Sequence, residues 1–142
     1  MEKLLIIDGN SILNRAYYGI RPLNAPDGTP TNAVYGFLNI LFKYLDEEKP
    51  DYLCVAFDVK AKTFRHKMYE LYKAQRKPAP DDFLVQLPVI KEVLGAMNCA
   101  CIEKEGYEAD DLIGTVSLLC EEKGINCRIL TGDKDDLQLA SD

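Results

Sequence analysis

The sequence predicts an α/β fold in which helices cover both faces of a parallel sheet. Four short apolar runs, typical of buried parallel strands, alternate with stretches in which apolar residues recur at helical spacing. Parallel strands joined by helices form right-handed crossovers, and such crossovers predict helices on both faces of the sheet. The chain has 142 residues, of which 47% are hydrophobic, and this suits one domain with one core.

The first half of the chain begins with an apolar run from Lys3 to Ile7, which predicts a buried strand that ends in Asp8. Ser11 is expected to cap a short helix that runs to about Tyr18. The next expected elements are a proline-rich loop, a long helix and a second buried strand, at about 21–30, 31–48 and 52–57. The second strand, like the first, is followed by an aspartate.

The second half of the chain opens with a basic segment and continues with a helix that starts at Asp81 or Asp82 and ends near Met97. Pro88 is expected either to kink this helix or to mark its true start. After this helix we expect a strand, a second helix, another strand and a helical turn, at 99–102, 108–123, 127–130 and 134–140. A glycine at position 124 is expected to end the helix at 108–123.

Composition narrows the class of protein. No apolar run approaches the roughly 20 residues that span a bilayer, and the start of the chain indicates a strand instead of a signal peptide. The five cysteines form no CxxC pair, and the sequence contains only one histidine, so a zinc site is not indicated. The cysteines are interpreted as reduced core thiols of a cytoplasmic protein. No membrane partner is expected, and the protein is expected to be monomeric.

Acidic residues crowd the stretch from Gly106 to Leu139, which includes GYEADDLIG and RILTGDKDDLQL. Three predicted strands also deliver an aspartate at or just beyond their carboxyl ends, where open parallel sheets bind ligands. The helix that starts at position 108 begins on the same edge. We therefore expect one acidic cluster, formed by Asp8, Asp58, Glu108, Asp110, Asp111 and Asp133.

Oxygen ligands without histidine or cysteine suit Mg²⁺ or Mn²⁺ better than zinc. Two such ions about 3.5 to 4 Å apart support hydrolysis of a phosphodiester by activated water. Simpler interpretations remain: Asp8 and Asp58 as turn residues, and the acids at 108–111 as partners of the helix dipole. Asp136 is interpreted as solvated or capping.

Positive charge is concentrated between Lys60 and Lys77, which hold seven Lys or Arg and one acid, whereas the rest of the chain has a net charge of −12. Aromatic residues alternate with these cations, a combination that stacks bases and follows a phosphate backbone. The alternative is a solvated amphipathic surface. Lys73 and Arg76 are candidates to hold the scissile phosphate. The candidates for DNA binding are Arg15, Arg65, Tyr72, Lys73, Arg76 and Lys77.

Five motifs, taken in order, resemble the 5′ nuclease family, and most closely the 5′→3′ exonuclease domain of bacterial DNA polymerase I. They are LLIIDGNSILNRAYYG, AVYGF, VAFDVKAKTFRHKMYELYKAQR, GYEADDLIG and ILTGDKDDLQL. The resemblance implies a PIN-like, Rossmann-like core of three layers with a basic helical arch at about 59–82. It also implies that Asp135 and the six acids above hold two metal ions, that Lys73 and Arg76 belong to the arch, and that both act in catalysis with Asp58.

The activity that the resemblance implies is removal of 5′ flaps and RNA primers from nicked or flapped DNA and primer–DNA hybrids in replication and repair. Family members continue with a helix-hairpin-helix motif, so residues 1–142 are expected to be the N-terminal part of a nuclease domain attached to a polymerase. Two rivals remain, a PIN-type ribonuclease and a DNA-binding fragment that is inactive by itself. An aspartate-nucleophile phosphatase is disfavoured because Asn10 stands where it needs a second aspartate.

Overall fold

The computed structural model describes residues 2–58, 81–104, 106–133 and 136–141, and for 133 and 136–141 it describes the backbone alone. The helices of these residues are α1 (Gly9–Gly19), α2 (Asn32–Glu48), α3 (Asp81–Leu84), α4 (Gln86–Ala96) and α5 (Ala109–Lys123). The strands are β1 (Lys3–Asp8), β2 (Tyr52–Ala56), β3 (Ala100–Ile102), β4 (Asn126–Asp133) and β5 (Asp136–Ser141). The expected basic arch falls mainly on 59–80, outside the described residues.

Strand β1 lies at the centre of the sheet, whose order in the described residues is β3-β2-β1-β4-β5. It pairs in parallel with β2 on one side and with β4 on the other. Asp8 is level with Ala56, and Ile7 is level with Leu130. The carboxyl ends of the three central strands therefore reach the same edge, as the sequence predicts.

One face of the sheet is covered by α1, α2, α3 and α4. Side chains from alternate positions of the strands, such as Leu5 and Val55, pack there against Phe37 of α2 and Leu94 of α4. All four are fully buried. Burying one such side chain contributes about 1.5–3 kcal/mol, so this layer forms the larger core.

The opposite face of the sheet is covered by α5. Ile6 and Cys54 point to this side and pack with Ala109, Ile113 and Cys120 of the helix. The helix ends at a glycine, residue 124, which adopts a φ of +70°. Helices thus lie on both faces, and the three-layer α/β architecture is confirmed. No described helix is long and apolar enough to cross a membrane.

The predicted cap of α1 is wrong. Asp8 is the N-cap, and its carboxylate accepts the Ser11 N–H at 3.2 Å. The helix starts directly at the end of β1 because Gly9 has no side chain. A Cβ at Gly9 would lie 2.5 Å from the ring of Phe57, which is buried. Ser11 is thereby released to bond elsewhere.

The predicted last helical turn at 134–140 is also wrong. Residues Asp136–Ser141 form β5, which pairs antiparallel with β4 from Arg128 to Asp133. Leucines at 137 and 139 alternate with other residues at the spacing of a strand, and the seven residues at 134–140 are too few to establish a helical period. This pairing also extends β4 beyond its expected end at Leu130.

Of the two outcomes expected at Pro88, the structure shows the second, in which the proline marks the start of a helix. The helix α3 ends at Leu84, and α4 begins at Gln86, so the proline lies in the first turn of α4. A proline is tolerated in a first turn because its missing N–H would have no partner inside the helix.

Candidate metal centre

The candidate site lies at the carboxyl edge of the sheet, where β1 delivers Asp8. Leu4 and Ile6, at alternate positions before it, pack toward α5, so Asp8 shares that face of the strand. Its carboxylate is only partly exposed. The start of α5 and the end of β2 approach the same place.

Asp58 follows the end of β2 and is fixed at two points. Its backbone N–H donates to the Asn10 side-chain oxygen at 2.8 Å. Its carboxylate accepts the backbone N–H of Ala109, the first residue of α5, at 2.6 Å. A helix N-terminus carries partial positive charge, so this contact is electrostatically favourable and orients the carboxylate toward the start of α5.

The three acids at the start of α5 differ in their surroundings. Glu108 and Asp110 line a cavity together with Asp8 and Asp58. Asp111 is not among the described residues that line it, and its carboxylate accepts the backbone N–H of Glu108 at 3.0 Å. For Asp111 the structure therefore shows a contact within the helix N-terminus.

The cavity has a volume of about 150 Å³. Its polar lining also includes the side chains of Asn10 and Ser11 at the start of α1. Four carboxylic acids from three separate parts of the sequence thus share one small space. Like charges at this density repel one another unless a cation or a proton neutralises them.

The pKa of Asp8 is raised from 3.8 to about 6, chiefly because the carboxyl group is buried. The hydrogen bond from the Ser11 N–H lowers this pKa, and repulsion by the carboxylates of Asp110 and Asp58 makes smaller contributions that raise it. The same neighbouring carboxylates favour a positive ion in the cavity.

The donor set of the cavity fits a hard divalent cation such as Mg²⁺ or Mn²⁺. Among the described residues, no three His, Cys, Asp or Glu side chains stand close enough to hold one ion together. Mg²⁺ keeps several waters and is commonly bound through one or two carboxylates, so it does not need such a group. The chemistry of the lining oxygens fits this ion, and zinc, which favours nitrogen and sulfur ligands, suits it less well.

A groove of about 710 Å³ lies between α1 and α2, beside the acidic cavity. Ser11 lines both, and Arg15 lies one turn further along α1. Asn14, Tyr18 and Asn39 also line the groove, and none of its described lining residues is acidic. A cationic, amide-rich groove therefore adjoins a pocket of carboxylates.

Several predicted site residues lie wholly or partly outside the described residues, and Asp133 is described by its backbone alone. The backbone of Asp133 ends β4, three residues beyond the partner of Ile7. The other predicted residues that lie outside the described part of the chain are Arg65, Tyr72, Lys73, Arg76, Lys77 and Asp135.

Two polar residues of the site were missed by sequence reasoning. In the sequence, Asn10 served only to disfavour a phosphatase, and Ser11 was predicted only to cap a helix. Their positions directly after a strand-end aspartate, at the start of a helix, were the available signal. Any side chain there lies at the ligand-binding edge of a parallel sheet.

Comparison with solved structures assigns the architecture to the PIN-like class of nuclease folds. The structure is similar to a bacteriophage T5 5′-exonuclease with bound zinc, with a TM-score of 0.62 over 85% of this chain and 45% of that one. It is also similar to the T5 D15 flap endonuclease in a complex with DNA and metal ions, with a TM-score of 0.62 over 90% of this chain and 55% of that one. Sequence identities of 18% and 14% make this a likeness of fold.

The sequence defines the family more narrowly. Residues 3–142 match the family of the 5′-3′ exonuclease, N-terminal resolvase-like domain, and the chain belongs to this family. It is 51% identical over 137 residues to DNA polymerase I of Caldicellulosiruptor bescii, covering 96% of this chain. It is 46% identical over its whole length to a 5′-3′ exonuclease of Aquifex aeolicus.

These relatives are longer than the chain. The match covers 16% of the Caldicellulosiruptor polymerase and 49% of the Aquifex exonuclease. A match to DNA polymerase I of Bacillus subtilis, at 44% identity over 141 residues, likewise covers 16% of that protein.

Proposed function

We propose that the chain is the metal-binding core of a 5′→3′ exonuclease and flap endonuclease of the kind found in DNA polymerase I. Its substrates would be 5′-flapped or nicked DNA and RNA primers paired with DNA. The observation that carries the proposal is the meeting of Asp8, Asp58, Glu108 and Asp110 in one cavity of a chain that belongs to the 5′-3′ exonuclease family.

Within this proposal the cavity acids are metal ligands. Mg²⁺ or Mn²⁺, bound as one or two ions, would supply the Lewis acid that activates water and neutralises phosphate charge. The chain's own contribution is to hold the carboxylates in place before the ion arrives. For Asp58 this is done by the Ala109 N–H, which orients the carboxylate. Asp111, Asp133 and Asp135 complete the proposed ligand set.

The groove beside the cavity supports a role for Arg15 in binding DNA. A strand whose phosphate lies at the carboxylates would continue into a space lined by a guanidinium, two amides and an exposed tyrosine. Arg binds phosphate through paired hydrogen bonds, and amides and aromatic rings tolerate any base. Arg65, Tyr72, Lys73, Arg76 and Lys77 are proposed to bind the same DNA strand.

A cleavage assay tests the proposal. The protein is incubated at pH 8 with a 5′-labelled flapped DNA duplex, in Mg²⁺ or in chelator. We expect cleavage near the flap junction with Mg²⁺ and none with chelator. Asp58→Asn, which preserves the acceptor for Ala109, should lower the rate on the order of 100-fold or more, since even outer-shell ligands contribute 10–100-fold.

The matched control is Asp46→Asn, because Asp46 lies exposed on α2 away from the cavity. It should cleave at the wild-type rate. Single-stranded RNA of the same sequence serves as the competing substrate. Preferential cleavage of the RNA would favour a PIN-type ribonuclease instead, and metal-dependent DNA binding without cleavage would favour a binding fragment.

A further inference from the structure

The first turn of α1 contacts each of the strand ends that surround the acidic cavity. It follows Asp8 without a break, and its first three residues are Gly9, Asn10 and Ser11. Because β1 lies between β2 and β4, the turn that follows β1 can contact the ends of both flanking strands. Each of its residues makes a different contact with them.

Asn10 contacts the β2 side. Its side-chain oxygen accepts the Asp58 N–H at 2.8 Å, so the backbone that carries the Asp58 carboxylate is tied to α1. Gly9 adds a packing contact to the same segment, since the ring of Phe57 occupies the space of its missing Cβ. The residue before Asp58 and Asp58 itself are therefore both fixed by this turn.

Ser11 contacts the β4 side. Its hydroxyl accepts the Gly132 N–H and donates to the Gly132 carbonyl oxygen, each at 2.7 Å. A third contact, at 3.2 Å, joins it to the hydroxyl of Thr131. The hydroxyl thus bonds to both backbone groups of Gly132, as a neighbouring strand would. A Cβ at Gly132 would lie 3.0 Å from the Ser11 carbonyl oxygen, which shows how closely the two segments approach.

We propose that Asn10 and Ser11 are positioning residues that fix the ends of β2 and β4 on either side of Asp8. Asn10 sets the position of Asp58, and Ser11 sets the position of the last residues of β4, which ends at Asp133. This inference rests on the proposed function, in which these acids bind metal. It assigns a task to two polar residues that line the cavity without carrying charge.

The first test needs no metal. Amide hydrogen exchange is measured in the chelated protein at residues 58 and 132. Asn10→Ala should accelerate exchange of the Asp58 amide, and Ser11→Ala that of the Gly132 amide, each by about fivefold, which corresponds to the loss of one hydrogen bond of about 1 kcal/mol. Asn10→Asp keeps an acceptor oxygen at the same position and should preserve protection of the Asp58 amide.

The second test measures Mn²⁺ affinity at pH 8 by the electron paramagnetic resonance signal of the free ion. Asn10→Ala and Ser11→Ala should weaken binding by about 10–100-fold, the range found for groups that orient metal ligands. Asn10→Asp should bind at least as tightly as the wild type. Asp46→Asn, at an exposed position of α2 away from the cavity, is the control, and both its affinity and its Asp58 exchange should be unchanged. Urea unfolding verifies that each variant is folded.

Two results would overturn the inference, and they differ. If the wild type binds Mn²⁺ and both alanine variants bind it equally well, the positioning role is wrong while the proposed function stands. If the folded wild type binds no Mn²⁺ at millimolar concentrations, the metal site itself is wrong, and the proposed function fails together with the inference.

Discussion

Replacing Asp8 with asparagine should stabilise the metal-free protein. Asp8 is held in a partly buried cavity with other carboxylates, and its pKa is raised from 3.8 to about 6. Asparagine has nearly the same shape and no charge. It can also accept the Ser11 N–H, and it is a good N-cap, so α1 should keep its start.

The magnitude follows from the pKa of Asp8 in the folded and unfolded chain. A difference of one pKa unit corresponds to 1.36 kcal/mol, so ionised Asp8 disfavours the folded state by up to about 3 kcal/mol. Because the folded pKa is the higher one, this term is absent below pH 3.8 and develops fully as the pH rises through 6. Asp8→Asn should therefore gain up to about 3 kcal/mol at pH 8 and progressively less at lower pH.

Urea unfolding between pH 4 and pH 8, in chelator, measures this difference directly. Adding Mg²⁺ should stabilise the wild type, because the ion binds only the folded state, and it should have little effect on Asp8→Asn. Asp46→Asn, at an exposed position, should stay within about 0.5 kcal/mol of the wild type at every pH. Equal stability of Asp8→Asn and wild type at pH 8, or a difference that does not vary with pH, would refute the reasoning.

Three other predictions concern the fold and the site. Gly9→Ala should lower the free energy of unfolding by about 1–3 kcal/mol, because the added methyl group would overpack against Phe57. Gly19→Ala, which adds a methyl group in open space, should not lower it. Equal effects of the two substitutions would contradict the close packing of Gly9 against Phe57. Gln86→Ala should lower the free energy of unfolding by about 1–3 kcal/mol, because the buried side-chain amide of Gln86 accepts the Ala33 N–H at 2.8 Å. An unchanged urea midpoint would contradict a stabilising role for this hydrogen bond. Mn²⁺ affinity should fall up to tenfold per pH unit below pH 6, where Asp8 binds a proton, and calorimetry that shows a flat profile would exclude competition at Asp8.

The central fold could be predicted because its signals are local. The apolar runs at β1 and β2 and the helical spacing of α2 agree with the tertiary environment that each element meets. The stop at Gly124 also needs only local information, since a glycine adopts a positive φ without strain.

The end of the chain and the cap of α1 could not be predicted in this way. Strand β5 depends on pairing with β4, and the sequence around it gives only a brief alternation of apolar residues. Ser11 is an equally good cap in isolation. Its bonds to Gly132, 121 positions away, decide its role, and such a contact leaves no trace in a local pattern.

The candidate site was predictable as a set of strand-end acids, because the topology of a parallel sheet brings those ends together. What the sequence does not contain is the direction of each side chain. Asp110 lines the cavity while its neighbour Asp111 bonds to the helix start, although both are acids in the first turn of the same helix. Their difference comes from the rotation of α5 against the sheet.

The central claim is that the acids at the carboxyl edge of the sheet bind divalent cations. The most direct test is anomalous diffraction from crystals soaked in Mn²⁺ at pH 8. We expect an anomalous peak in the cavity, within about 2.0–2.6 Å of carboxylate oxygens that include one from Asp8 or Asp58. Fully soaked crystals with Mn²⁺ only at other sites, and none in this cavity, would contradict it.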